Sequence, residues 1–405
     1  MELAESSKMT LRYLDLFAGA GGLSEGFLRA GFEPVAHIEM DVAACYTLKT
    51  RAAYHWLRKN DKLDVYKKYL AQEISREEFY QEIPERVLNT VLNYEISEDS
   101  LETIFEKVDQ LLGGSKLDLI VGGPPCQAYS IAGRSRDEHK MVGDKRNYLY
   151  KLYAEFLIKY QPKYFVFENV VGLLSAKDED GTLHFKNMQK LFEKCGYKTE
   201  SRVLNASDYG VPQNRRRLVL LASLLGKIVL IPPTHTPSEY VTVRDAIGDL
   251  PPLVAGSTDP NDIMHSATQL SKTNLNRIRQ SVPGGTWRDW DESLQLKCHK
   301  KSTGRTYPSV YGRMSWDAPS PTITTQFYGY GNGRFGHPDQ DRALSLREGA
   351  ILQSFPRDYK FIQSTEILNK HQLGIQIGNA VPVRLGEAIG KSILDHIRRY
   401  RNGKE

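Results

Sequence analysis

The chain has 405 residues, with 54 Lys or Arg against 49 Asp or Glu and a net charge of +5. That length accommodates one large domain with a smaller companion, and the ordinary composition excludes a fibrous or disordered chain. No apolar run reaches membrane-spanning length and the opening "MELAESSKMTLRYLDLF" lacks the basic and apolar regions of a signal peptide, so a cytoplasmic protein with no membrane partner is expected.

In chain order, apolar runs of strand length recur with helix-like segments between them: Tyr13 to Phe17, Pro34 to Glu39, Leu117 to Val121, Tyr164 to Glu168 and Arg217 to Ala222. This alternation predicts an α/β fold with a mostly parallel sheet. Leu149, Leu152, Tyr153, Phe156, Leu157 and Tyr160 share one helical face that Pro162 ends, which reads as a crossover.

The first run leads into "FAGAGG" (Phe17 to Gly22) and an amphipathic segment, the form of a nucleotide-binding turn whose glycines let backbone approach a ligand. Glu39 stands twenty residues beyond Gly19 at the end of the next strand, where a carboxylate accepts both ribose hydroxyls. A dinucleotide and an S-adenosyl cofactor fit this equally, although Ser24 stands where the dinucleotide fingerprint has its third glycine.

Residues 51 to 92 interrupt the alternation with a charged, helix-prone insertion, read as a surface excursion. Ser75 with Glu78 forms a capping-box pattern, Ile74 and Phe79 its hydrophobic staple, and Pro84 ends that helix and opens another.

The third run leads into "GGPPCQAYS" (Gly122 to Ser130). Cys126 lies past the apolar stretch, where Pro124 and Pro125 remove two backbone donors and fix φ, so the loop presents a thiol instead of burying one. Glu168 ends its strand in "ENV". Ligands of open parallel sheets bind at the carboxyl ends of strands, so thiol, carboxylate and glycine turn converge on one rim. A cysteine thiolate attacks a soft, electron-poor carbon if nearby positive charge stabilises it, and "QNRRRL", with Arg215, Arg216 and Arg217, opens a strand with such charge. The four cysteines, Cys45, Cys126, Cys195 and Cys298, form no C-x-x-C pair, so neither a disulfide framework nor a metal site is expected.

After the first domain, 1–231, the stretch 232–312 is rich in turns and reads as a small second domain, while 313–405 regains helical order and returns to the first. Within it, Met264 to Gly312 holds eight Lys or Arg against three Asp or Glu, a pointer to a polyanionic partner.

"DLFAGAGGLSEGF", "GGPPCQAYS", "FENV", "NASDYGVPQNRRRL", "RALSLREGAILQSFP" and "IGNAVPV" together resemble, in order, the motifs of the DNA cytosine-5 methyltransferases of bacterial restriction-modification systems. The resemblance covers nearly everything except 51–92 and the core of the small domain. It implies a Rossmann-like S-adenosylmethionine-dependent fold with a target-recognition domain, and methyl transfer to C5 of a cytosine flipped out of duplex DNA. By position, it implies Cys126 as the nucleophile at C6, Glu168 at N3, Asn169 positioning Glu168, and Arg215 and Arg217 beside the base and its phosphate. Phe17, Gly19, Gly21 and Gly22 would line the cofactor, with Glu39 on its ribose, Met40 against its adenine, and Pro125, Leu149, Asn379 and Val381 completing the pocket. "NYEIS" offers Glu95 before Ile96 where many members have an aspartate for the adenine amino group. Arg347 and Glu348 read as ion-pairing residues of a helix that organises the domain junction.

DNA contacts are expected from Gln127, Ser130 and Arg146, and in the small domain from Arg288, Lys297, Lys300 and Lys301, with Trp287, Trp290 and His299 as further base-reading candidates. The expected species is a monomer on double-stranded DNA, sharing its target with a restriction endonuclease without a stable complex. The competing readings are a transfer RNA cytosine methyltransferase, a catalytically inactive DNA-binding homologue, and an NAD enzyme with a cysteine nucleophile.

Overall fold

The computed structural model describes residues 10–125, 148–178, 180–301, 308–363 and 368–403. Cys126, Gln127, Ser130 and Arg146 lie outside the described residues.

Seven strands form one sheet: β1 (Arg12–Leu16), β2 (Glu33–Glu39), β3 (Val91–Asn93), β4 (Leu119–Gly122), β5 (Tyr164–Val170), β6 (Lys198–Asn205) and β7 (Arg216–Ser223). Their order is β3-β2-β1-β4-β5-β7-β6, with β7 antiparallel to both neighbours and the other pairs parallel. The five predicted runs are β1, β2, β4, β5 and β7; β3 and β6 escaped prediction. β3 has three residues, and β6, "KTESRVLN", is an edge strand with only Leu204 buried, so neither carries an apolar run. Chain order reverses between β1 and β4, which opens a crevice at their carboxyl ends.

Helices cover both faces. On one, α1 (Gly22–Ala30) packs beneath the last helix, Val383–Arg401, through Phe27, Leu385, Ile389 and Ile393. Full burial of one such side chain contributes about 1.5–3 kcal/mol. Their backbones touch because α1 has glycine at the crossing: a Cβ on Gly26 would lie 2.5 Å from the Val383 carbonyl oxygen. The other face carries Ile104, Phe105, Val108, Tyr153, Phe156 and Phe192.

Residues 51–92 hold the second half of α2 (Val42–Lys59), then α3 (Leu63–Leu70), α4 (Arg76–Gln81) and α5 (Glu85–Leu88). Ser75 and Glu78 form the capping box of α4, and Pro84 is the N-cap of α5. The insertion is more than a surface excursion: Tyr66, Tyr69, Phe79 and Leu57 form a core of their own with Ile362, and Phe79 stacks on Tyr69 at 4.5 Å. The charged sequence hides this because the few buried positions it gives this core, Ala53, Leu57, Tyr66, Tyr69, Phe79 and Ile83, are scattered over α2, α3, α4 and the turn after α4.

In the turn-rich region, β8 (Thr258–Asp259) and β9 (Asp262–Ser266) form a hairpin. Leu270, Ile278, Trp287 and Trp290 make a small core with Tyr330 and Ala343, so that core draws on both sides of Gly312. Val243, Ile247 and Met264 pack instead with Phe327, Leu346 and Tyr359.

Candidate active site

A cavity of about 1060 Å³ lies at the carboxyl ends of β1, β2, β4 and β5. The turn after β1 forms its floor. Phe17 (φ 57) and Gly19 (φ 54) adopt left-handed backbone, held by Ala18 N–H donating to the Ile38 carbonyl (3.0 Å) and Gly21 N–H to the Ala18 carbonyl (3.0 Å). For Phe17 that conformation costs on the order of 1–3 kcal/mol, which the surrounding contacts must offset. The wall includes Phe17, Gly19, Gly22, Glu39 and Met40, then Glu95, Ile96, Pro125, Leu149, Asn379 and Val381. Gly21 stands behind it: it is the N-cap of α1 at φ 81, and a Cβ there would lie 2.8 Å from Leu48 Cδ2 and 2.9 Å from Tyr359 Oη.

Glu39 is fixed by two backbone donors, Gly19 N–H to Oε2 and Asp41 N–H to Oε1, both 2.8 Å. Burial raises its pKa and these amides oppose the rise. Each oxygen keeps a lone pair for a further donor such as a hydroxyl. Met40 is well exposed at the mouth, Ile96 is buried, and Glu95 is exposed.

Glu168, Asn169, Arg215 and Arg217 reach the same cavity. Arg217 Nε lies 2.9 Å from Glu168 Oε1. Burial raises the Glu168 pKa, against the lowering effect of Arg217 and Arg215, so this carboxyl holds a proton more readily than an ordinary glutamate. Gly123 makes room for it, since a Cβ there would lie 2.7 Å from Glu168 Oε2.

Two of these side chains also have partners that the sequence did not indicate. The Asn169 amide donates to the Pro124 carbonyl at 3.2 Å. It therefore anchors the loop that leads to Cys126. Arg215, 1% exposed, donates to the carbonyls of Ile323 (2.8 Å), Gly378 (2.9 Å) and Ala380 (3.1 Å). It thereby ties the start of β7 to the turn that carries Asn379 and Val381.

Sequence reasoning missed three wall or support residues. Asp15 lines the cavity, is 1% exposed, and has its pKa pushed well up by burial and then by Glu39; a lone carboxylate inside "YLDLF" was the available signal. Gln213 donates to Gln353 Oε1 (2.9 Å) and accepts from Ile323 N–H (2.9 Å). Gln353 in turn donates to the Ile377 carbonyl at 2.8 Å, a link across the fold that leaves no local mark.

Of the basic candidates, Lys297 and Lys301 are exposed, while Lys300 pairs with Glu292 at 2.7 Å and Arg288 stands over the Trp287 ring at 5.2 Å. Trp287, Trp290 and His299 are buried and so present no edge to a base. Trp287 stacks on His299 at 4.2 Å, and the Trp290 indole donates to Ser281 Oγ at 2.9 Å: these aromatics supply the small core that a turn-rich segment otherwise lacks. Arg347 pairs with Asp262 at 2.5 Å, joining helix Leu346–Leu352 to β9, and Glu348 accepts a two-pronged bond from buried Arg342 at 2.7 and 2.8 Å. Among the described residues no cluster of His, Cys, Asp or Glu could hold a metal ion, and no helix is long and apolar enough to cross a membrane.

Comparison with known proteins accords with this geometry. Residues 11–79 and 87–395 match the family described as C-5 cytosine-specific DNA methylase. The chain is 40% identical over 381 residues to Type II methylase M.HgiDII of Herpetosiphon aurantiacus, covering 94% of each chain. It is 33% identical over 389 residues to Type II methyltransferase M1.HphI of Haemophilus parahaemolyticus, covering 95% of this chain and 87% of that one. Among solved structures, a prophage-encoded DNA modification methyltransferase of E. coli shares the fold, with TM-score 0.63 at 22% identity over 96% of this chain and 100% of that one. With an α/β sheet of matching architecture and a family match over nearly its whole length, the chain belongs to the C-5 cytosine-specific DNA methylases and is a DNA cytosine-5 methyltransferase.

Proposed function

We propose that the protein transfers a methyl group from S-adenosylmethionine to C5 of a cytosine flipped out of a specific duplex sequence, as the modification enzyme of a restriction-modification system. The observation that carries this is the continuity of one cavity from the glycine turn and Glu39 to the Glu168–Arg217 pair. The restriction-modification context is supported by relatives named Type II methylases.

The residues present fit the cofactor. The glycine turn and Glu39 suit a ribose, Met40, Ile96 and Leu149 offer apolar surface to an adenine, and Asn379 and Val381 close the other side. The volume, at the upper end of ordinary ligand pockets, leaves space for a base beside it. When bound, S-adenosylmethionine supplies an electrophilic methyl group.

C5 of cytosine is a poor nucleophile, and the protein's groups address that. The Cys126 thiolate adds to C6, forming an S–C6 bond and placing electron density at C5. Glu168, whose burial favours its protonated form, supports the proton at N3 that this addition requires. Arg217 holds the carboxyl in place and presents positive charge to the base. After methylation, loss of the C5 proton and cleavage of the S–C6 bond restore the ring and free the thiol. Asn169, through Pro124, sets the loop from which Cys126 acts. Residues 232–312 supply target recognition, through exposed cations such as Lys297 and Lys301.

The test is trapping. Duplex DNA with 5-fluorocytosine at the target, incubated with S-adenosylmethionine, yields a denaturation-resistant adduct because fluorine cannot leave as a proton does. A Cys126→Ser protein that still formed the adduct would overturn the assignment. Bisulfite sequencing of DNA from an expressing host identifies the target, and competition between duplex DNA and transfer RNA separates the two substrates.

A further inference from the structure

The helical insertion takes no part in the chemistry above, yet α2 reaches the back of the cavity at several points. Arg51, 6% exposed, forks onto Glu25 of α1, with Nε 2.9 Å from Oε2 and Nη2 2.7 Å from Oε1. Its guanidinium lies 3.9 Å from the centre of the Tyr54 ring and 4.9 Å from that of Tyr359. His55 Nε2 adds a contact to Glu25 Oε2 at 2.9 Å. Tyr359 donates its hydroxyl to the Ala20 carbonyl at 2.6 Å, inside the "FAGAGG" turn, and occupies the space a Cβ on Gly21 would need. Thr47 donates to Oε1 of the wall residue Gln376 at 2.8 Å and accepts from Ile362 N–H at 2.8 Å.

The turn needs such support. Phe17, Gly19 and Gly21 all have positive φ, and a backbone of that kind persists only where its surroundings over-determine it. Tyr359 gives the Ala20 carbonyl a buried hydrogen-bond partner. The planar fork from Arg51 to Glu25 sets the guanidinium that stacks on Tyr359 and is geometrically more specific than a single charge contact.

We propose that Arg51 and Tyr359 are positioning residues that hold the glycine turn in its cofactor-binding shape, with α2 serving as the brace that orients them. This rests on the reading that the cavity binds S-adenosylmethionine. A turn ordered beforehand spares the cofactor the cost of ordering it, so the brace is expressed as cofactor affinity.

The experiment compares four single variants of the full chain by calorimetric titration with S-adenosylmethionine and S-adenosylhomocysteine, alongside thermal unfolding. Tyr359→Phe keeps the ring and removes the hydroxyl; it should bind both ligands about five- to tenfold more weakly, with KM for S-adenosylmethionine rising by more than kcat falls. Tyr66→Phe removes a hydroxyl bonded to the Asp358 carbonyl at 2.7 Å in the same packed region, away from the turn, and should bind as the parent does. Arg51→Lys keeps the charge without the fork and should fall between the parent and Arg51→Met. Parent-like affinity in Tyr359→Phe overturns the proposal, as does equal weakening in Tyr66→Phe, which would show general loosening. If Tyr359→Phe does not fold, Arg51→Lys decides, and parent-like affinity there overturns it. A parent chain that binds neither ligand overturns the cofactor reading itself, and the proposal with it.

Discussion

Glu168 and Arg217 meet diagonally across antiparallel strands: Glu168 stands opposite Val219 and Arg217 opposite Val170, yet Arg217 Nε lies 2.9 Å from Glu168 Oε1. Residues two apart along a strand share a face, which lets long side chains pair on the diagonal. The pair sits on the face that opens into the cavity, where the carboxyl is buried and its pKa is raised.

Glu168→Gln should therefore lose turnover by a factor on the order of 10² to 10³ with little change in DNA affinity, because the interaction strengthens in the transition state. Single-turnover kinetics beside a binding isotherm checks this. Equal losses in both would point to a structural role.

Gly123→Ala probes the same carboxyl by displacement. The added methyl would lie 2.7 Å from Glu168 Oε2 and 3.0 Å from its backbone oxygen, so the side chain must shift. A misplacement of about 1 Å costs on the order of 10² in rate. The expected variant folds and retains cofactor binding but turns over slowly; turnover within twofold of the parent would show that Glu168 has freedom to move, twofold being about 0.4 kcal/mol.

Buried Glu25 carries a pH signature. Burial alone would raise its pKa, but the hydrogen bonds and charges of Arg51 and His55 more than offset this and hold it far below the ordinary 4.5. A carboxyl depressed on folding stabilises the protein above its unfolded value and ceases to do so as pH falls through the folded value. Glu25→Gln should cost about 3–5 kcal/mol at neutral pH, and the gap from the parent should narrow as pH falls below 4.5. Urea unfolding across that range checks the sign, since a constant gap would mean that the ionised pair is not its source.

Residues 232–312 should separate charge from packing. Neutralising Lys297 or Lys301, if either touches a phosphate, should lower the magnitude of the log-log salt slope of DNA binding by about 0.9, whereas Lys300, paired with Glu292, should change it less. Trp287→Ala should instead destabilise the fold by about 3–5 kcal/mol, because its ring is buried against His299. Unchanged slopes for Lys297 and Lys301 would place DNA contact elsewhere.

Several features were legible in short stretches of sequence. The runs that became β1, β2, β4, β5 and β7, the glycine turn and the place of Glu39 at a strand end are matters of period, spacing and backbone chemistry, all carried by a few neighbouring residues. The convergence of the turn and Glu168 on one cavity also followed, because parallel strands put their carboxyl ends on one rim; the thiol expected beside them lies outside the described residues. Partner choice was different. Arg215 spends its donors on Ile323, Gly378 and Ala380, Asn169 turns to Pro124, and Trp287 buries itself on His299, each decided by what the folded chain brings alongside. Alternation along a strand tells which face a side chain takes but not what waits there. Tyr359 pins a carbonyl 339 residues earlier in the chain, and a hydrogen bond at that separation exists only once the core has closed, so only the tertiary structure could decide it.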